Sequence, residues 1–150
     1  MGTHHKGSRK EVTALNTYIK LVRAVESLNQ RLYPFFNKYS LTESQFAVLE
    51  ALYHMGPLNQ RELSTKLLRS PGNITMVIDN LEKRNYVKRE RGKLDRRHYI
   101  IHLTPPGKEF IRKIFPEHLD SIIKEFSILN DEEQHQLQRM CKEIGLREKQ

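Results

Sequence analysis

The sequence predicts a mainly α-helical fold carrying one small β-hairpin, and three observations predict it. Apolar residues recur at steps of three and four through six separate segments, the spacing that lines one face of a helix. Two short β-prone runs enclose a polar, basic loop that contains Gly92, the pattern of a hairpin. Between the third and fourth helical segments stands Ser70-Pro71-Gly72, a tight break that ends one helix and caps the next.

The elements follow in order. Residues 8–37 read as a long first helix whose stripe is Leu15, Ile19, Val22, Val25, Leu28, Leu32 and Phe35, with Pro34 expected to bend or end it near its C-terminus. Thr42 and Gln45, three residues apart, form a capping box for a second helix that buries Phe46, Leu49, Leu52 and Tyr53 and stops at Gly56-Pro57. Asn59 caps a short third helix, residues 60–68, which contributes Leu63, Leu67 and Leu68. The fourth helix, residues 71–84, turns Ile74, Val77, Ile78 and Leu81 inward. Its other face offers Asn73, Thr75, Met76, Asn80 and Lys83, a surface with hydrogen-bonding groups and little apolar area. The hairpin pairs residues 86–89 with residues 99–103. A fifth helix starts at Thr104-Pro105-Pro106-Gly107 and carries a stripe from Phe110 to Phe126. Asn130, followed by three acids, caps the sixth, whose stripe is Leu137, Met140, Cys141 and Ile144.

Composition excludes several classes. The chain has 150 residues, a length that suits one domain or one domain with dimerisation extensions. A single cysteine rules out a disulfide framework and a cysteine-built zinc site. Cys141 lies on an apolar stripe and reads as an inert core thiol. His98 and His102 share one face of a strand while His54, His118 and His135 are scattered, which is weak evidence for a metal site; isolated histidines are the favoured reading, and no cofactor is expected. No stretch reaches the roughly 20 apolar residues of a membrane span. The basic segment Met1 to Lys10 precedes no signal-like apolar run, so a cytoplasmic location is expected. An enzyme is not expected: the sequence shows no Gly-rich phosphate loop, no carboxylate pair in an apolar setting and no nucleophile beside a base.

The charge is unevenly placed. Lysine and arginine exceed aspartate and glutamate by 26 to 18, and residues 61–97 alone hold eleven basic side chains against five acidic ones. A cluster of this kind attracts a polyanion, because each phosphate it neutralises releases condensed counterions. A short helix, a tight break and a helix with a polar outer face make a helix-turn-helix, and the basic hairpin after it makes a winged helix. A single lobe of this size cannot cover the stripes at both chain ends, so packing against a second copy is expected. A protein-assembly module remains as an alternative, against which the polar reading face and the Arg-rich wing argue; a nonspecific or RNA-directed nucleic-acid binder is the other, which duplex specificity and a strong drop in affinity on Arg97→Ala would separate.

Over residues 16–144 the sequence resembles the MarR family of bacterial transcription regulators. The residues that carry the resemblance are Leu41-Thr42-Glu43-Ser44-Gln45-Phe46, Leu49 with Leu52, Glu62-Leu63, the run from Ile74 to Arg84, Tyr86-Val87-Lys88-Arg89, Asp95-Arg96-Arg97, and Leu103-Thr104 with Gly107. The position after Arg84, often Gly in that family, is Asn85, which tolerates the left-handed turn required there. The resemblance implies one MarR-like domain over residues 1–150, with dimerisation helices at 8–40 and 105–148 and a winged helix-turn-helix DNA-binding lobe at 41–104. It implies a homodimeric regulator, a repressor by expectation, that reads a palindromic operator in double-stranded DNA. Ser70, Gly72, Asn73, Thr75 and Met76 would face the major groove. Arg69, Lys83, Arg84 and Arg89 would lie near phosphates. Arg97, held by Asp95 and flanked by Arg96, would enter the minor groove. Release by a small aromatic or phenolic effector is part of the same expectation, with Tyr18, Tyr33, Phe36, Tyr39 and His54 as residues that could line its crevice or serve as ordinary core aromatics.

Overall fold

The computed structural model describes residues 1–92 and 98–146. They form α1 (Arg9–Lys38), α2 (Glu43–Met55), β1 (Leu58–Asn59), α3 (Gln60–Leu67), α4 (Pro71–Lys83), β2 (Val87–Arg91), β3 (Tyr99–Leu103), α5 (Pro105–Phe126) and α6 (Asp131–Gly145). The chain divides into two compact units, Met1–Phe115 and Pro116–Gln150.

Local chemistry accounts for the helix boundaries. Ser8, Thr42, Asn59 and Asn130 each accept the backbone N–H three residues on, and Glu11, Gln45, Glu62 and Glu133 return the bond to the cap backbone. Each box satisfies two of the amide groups that a helix start leaves without partners. Ser70 accepts from Asn73 N–H, and Pro71 occupies the first helical position, where a missing N–H costs nothing. Pro34 lies inside α1, which continues to Lys38. Asn85 has the left-handed backbone expected of it, at φ 57°.

In the first unit the core is built where α2, α3, α4, the sheet and the start of α5 converge. Leu49, Leu63, Ile74, Ile78, Leu81, Ile101, Ile111 and Ile114 are wholly shut from solvent. Each such side chain contributes about 1.5–3 kcal/mol relative to exposure. Phe35, Phe36 and Phe46 form an aromatic cluster beneath the end of α1, with ring centroids 5.3–5.6 Å apart. The sheet has three antiparallel strands in the order β1-β3-β2. Val87 pairs with Leu103 and Arg91 with Tyr99, while β1 adds Leu58 opposite Ile101 on the other edge of β3. The two-residue β1 was not anticipated from the sequence. It is too short to show a period, and its second residue, Asn59, is also the cap of α3.

The second unit is the remainder of α5 with α6. Ile122, Ile123, Phe126 and Leu137 line a hollow of about 390 Å³. None of the residues of α6 is buried. Cys141 is accordingly exposed, contrary to the core position expected for it: α6 has an apolar stripe but no buried residue. Among the described residues no helix is long and apolar enough to cross a membrane, and none of their His, Cys, Asp and Glu side chains cluster in threes that could hold a metal ion.

Candidate nucleic-acid interface

The helix-turn-helix is set by the join between α3 and α4. Leu68 ends α3 in the left-handed conformation at φ 51°. Arg69 N–H and the Ser64 hydroxyl then close the turn, the first donating to Ser64 O at 3.1 Å and the second to Arg69 O at 2.6 Å. From this turn α4 runs with Ile74, Val77, Ile78 and Leu81 buried, and Ser70, Gly72, Thr75, Met76, Asp79 and Lys83 exposed. Met76 is 57% exposed, a large apolar side chain left standing on a polar face. Asn73 is half-buried, with its side-chain oxygen cut off from solvent.

Arg89 of β2 is the centre of the site's electrostatics. Its Nη2 donates to Asp79 Oδ1 at 2.6 Å and its Nη1 to Glu82 Oε2, while its backbone N–H donates to Glu82 Oε1 at 3.2 Å. Its Nε donates to Gln60 Oε1 at 3.4 Å, Gln60 Nε2 donates to Thr75 Oγ1 at 3.1 Å, and Thr75 Oγ1 donates to Pro71 O at 3.0 Å. The wing strand, α3 and the first turns of α4 are thus joined in one chain of hydrogen bonds. The Arg89 side chain is 19% exposed. A planar guanidinium suits this role, since its fork can hold two carboxylates at fixed angles.

Other basic residues expected near phosphates also have partners within the unit. Arg69 Nη2 donates to Glu43 Oε1 at 3.1 Å. Arg84 donates to the carbonyls of Ser40 at 2.6 Å and Tyr39 at 3.3 Å. Lys83 is exposed on the last turn of α4. Asp95, Arg96 and Arg97 lie outside the described residues. On β2, Lys88 pairs with Glu90 at 2.5 Å, and His102 stands 3.3 Å from the other Glu90 oxygen.

Gln60, Asp79 and Glu82 were missed in reading the sequence as an interface. Asp79 and Glu82, three apart on one helix face and followed seven residues after Glu82 by Arg89, were the available signal.

The five residues considered for an effector are not brought together. Tyr18 and Tyr33 are exposed on α1, fifteen residues apart, about 22 Å along the helix at 1.5 Å per residue. Phe36 is a core residue against Phe35 and Phe46. Tyr39 meets Phe35 at 5.2 Å and Phe110 at 6.2 Å. His54 is exposed on α2, with its ring 4.7 Å from that of Phe115. Beside it, Ala47, Glu50, Ala51, Met55 and Leu67 line a shallow hollow of about 260 Å³. Half-burial raises the Glu50 carboxyl above its ordinary pKa, and His54, four residues on, pulls it the other way.

The MarR family profile matches residues 41–99, the stretch that holds the helix-turn-helix and wing. The HTH-type transcriptional regulator MhqR of Bacillus subtilis is 35% identical over 137 residues, 91% of this chain and 94% of its own length. The chain belongs to the MarR family. Its members are transcriptional regulators rather than enzymes. The crystal structure of AbsC, a MarR family transcriptional regulator from Streptomyces coelicolor, superposes with a TM-score of 0.80 at 26% identity, covering 94% of this chain and 95% of that one. NadR in complex with 4-hydroxyphenylacetate shares the fold, with a TM-score of 0.76 at 23% identity over 99% of this chain and all of that one.

Proposed function

We propose that this MarR-family regulator acts as a homodimer that reads a palindromic operator in double-stranded DNA and represses transcription until a small aromatic effector releases it. The observation that carries the reading is the division of α4 between a fully buried face and an exposed polar one. Helix α4 has the width of a B-DNA major groove, and its exposed N-terminal residues Ser70, Gly72, Thr75 and Met76 form the part that meets base edges. Asn73 lies among them. Met76 offers an apolar contact of the kind a thymine methyl makes. Lys83, exposed on the last turn of α4, is a phosphate contact, and the Arg-rich wing tip, Asp95 to Arg97, enters the minor groove.

A second copy is the partner for apolar faces that each unit leaves open. In α1 these are Leu15, Tyr18, Val25 and Tyr33, and in the second unit Leu119, Ile123, Met140 and Ile144. Two-fold pairing of this kind places two reading helices about 34 to 36 Å apart, one turn of duplex. The aromatic effector is supported by the likeness to NadR, solved with a phenolic acid.

Selection of bound duplexes from a random pool in about 150 mM salt tests the reading. Enrichment of a palindrome with half-site centres about 10 base pairs apart is expected. Weak, salt-sensitive binding without enrichment would overturn it.

A further inference from the structure

We propose that Arg84 is a positioning residue: it locks the C-terminal end of the reading helix to the end of α1, and so sets where the two reading helices of a dimer stand. The proposal rests on the dimeric reading above and assigns to Arg84 a role other than the phosphate contact its charge suggests.

Arg84 is the C-cap of α4. Its Nη1 donates to Ser40 O at 2.6 Å and its Nη2 to Tyr39 O at 3.3 Å. Tyr39 is the C-cap of α1 and Ser40 follows it at φ 51°, so the guanidinium sits at the carbonyl end of α1, where the helix dipole favours a cation. The same guanidinium lies 4.9 Å over the Tyr86 ring and 5.9 Å from the Phe110 centroid. Those two rings stack at 4.4 Å and 10°, and Tyr39 meets Phe110 edge-on. One side chain therefore touches the ends of α4 and α1, the first residue before the wing, and the first turns of α5.

The surroundings hold this joint rigid. Thr104 Oγ1 donates to Asn85 O at 2.6 Å, Thr104 N–H to Tyr86 O at 3.1 Å, and Tyr86 N–H to Leu81 O at 2.9 Å. The reading residues stand at the other end of α4, a 13-residue helix about 20 Å long. A tilt of about 5° at the joint would carry that tip by roughly 2 Å relative to α1, enough to put the second reading helix of a dimer out of step with its half-site while each lobe can still seat on a half-site alone. Arg84 fixes the pivot, and the carbonyls it grips, at the C-cap of α1 and the residue after it, end the helix that meets the second copy.

A phosphate contact and a pivot respond differently to Arg84→Lys. Lysine keeps the charge and loses the fork, so it would preserve a phosphate contact and fail at the pivot. Arg84→Lys, Arg84→Gln and, as an independent lesion of the stack, Phe110→Leu are compared with wild type on the selected palindrome, on a single half-site, and on palindromes with the spacer altered by one base pair. Melting and helix content are recorded for each. The expected result is a tenfold or greater loss on the palindrome for all three, with half-site affinity within twofold of wild type, spacer preference flattened, and the salt slope unchanged. If Lys rescues binding while Gln lowers half-site and palindrome affinity together and flattens the salt slope by about 0.9 per lobe, Arg84 is a phosphate ligand and the proposal fails. Unchanged spacer preference in variants that fold overturns it as well. A wild-type protein with no preference for the palindrome over the half-site overturns the dimeric reading, and the proposal with it.

Discussion

Replacing Gly107 by alanine tests how tightly the wing is seated on α5. A Cβ built at Gly107 stands 1.9 Å from the Tyr86 carbonyl oxygen and 2.7 Å from its carbon. Ordinary contact begins near 3.4 Å, so backbone must move by about 1.5 Å. Tyr86 has no slack to give: its carbonyl accepts from Thr104 N–H, its amide donates to Leu81 O, and its ring stacks on Phe110. Moving it sacrifices at least one backbone hydrogen bond, about 1 kcal/mol net, on top of about 1–3 kcal/mol for overpacking. The sum is about 3 kcal/mol, or roughly a 6–12 °C fall in Tm for a chain of this size. Urea denaturation of wild type and Gly107→Ala followed by far-UV circular dichroism reads it directly. A variant within 1 kcal/mol of wild type would show that the Gly107–Tyr86 contact has room, and the argument for a rigid joint would fail with it.

Gly72 is the control and behaves oppositely. A Cβ there meets nothing within 4 Å, so Gly72→Ala should gain about 0.5–1 kcal/mol from reduced unfolded-state freedom. The same methyl stands on the reading face, and duplex affinity should fall about tenfold, the worth of one base contact; stability and affinity both unchanged would remove Gly72 from the interface. For Arg89→Ala, partial exposure of Asp79 and Glu82 discounts the charge-assisted bonds to a loss of about 2 kcal/mol. A double-mutant cycle with Glu82→Gln should return a coupling of at least about 1 kcal/mol, and additivity would refute the clamp. Glu50 carries a raised carboxyl pKa, so the folded state holds its proton more tightly than the unfolded chain does. Its stabilising share is therefore present below the ordinary value of 4.5 and lost as pH rises through the raised one. Glu50→Gln should accordingly out-stabilise wild type at pH 7, with the gap closing by pH 4; equal urea midpoint shifts at the two pH values would refute the burial argument.

The helices were legible because their signals are local. The capping box at Thr42, the cap at Asn130, the Ser70-Pro71 start and the spacing of Ile74, Val77, Ile78 and Leu81 each lie within one turn or one face of a helix. Strand β1 was illegible because it owes its pairing to Ile101, more than forty residues away. The candidate site divides in the same way. That residues 61–97 are basic is read from composition, but what a guanidinium meets is a tertiary fact. Arg89 finds Asp79 and Glu82 only once the hairpin folds against α4, and Arg84 finds Tyr39 and Ser40 only once α1 ends beside it. Phe36 and Cys141 make the same point from opposite sides: one went into the core and one stayed out, according to whether a neighbouring element covers their helix.

The charge of the lobe therefore divides into two kinds of work. Arg69, Arg84 and Arg89 are tied to Glu43, to the end of α1, and to α4 itself. A guanidinium held by two carboxylates, as Arg89 is, has little net charge to offer a phosphate, and its use is geometric: it aligns the wing strand with the helix that precedes it. The proposed reading of two grooves would demand that alignment, since the wing and α4 would approach the duplex at separate points. Lysine in the same three places would give the same formal charge, yet could not fork between partners. In these three places arginine is thus better explained by the stiffness it gives the lobe than by attraction to a polyanion, which lysine would supply equally well.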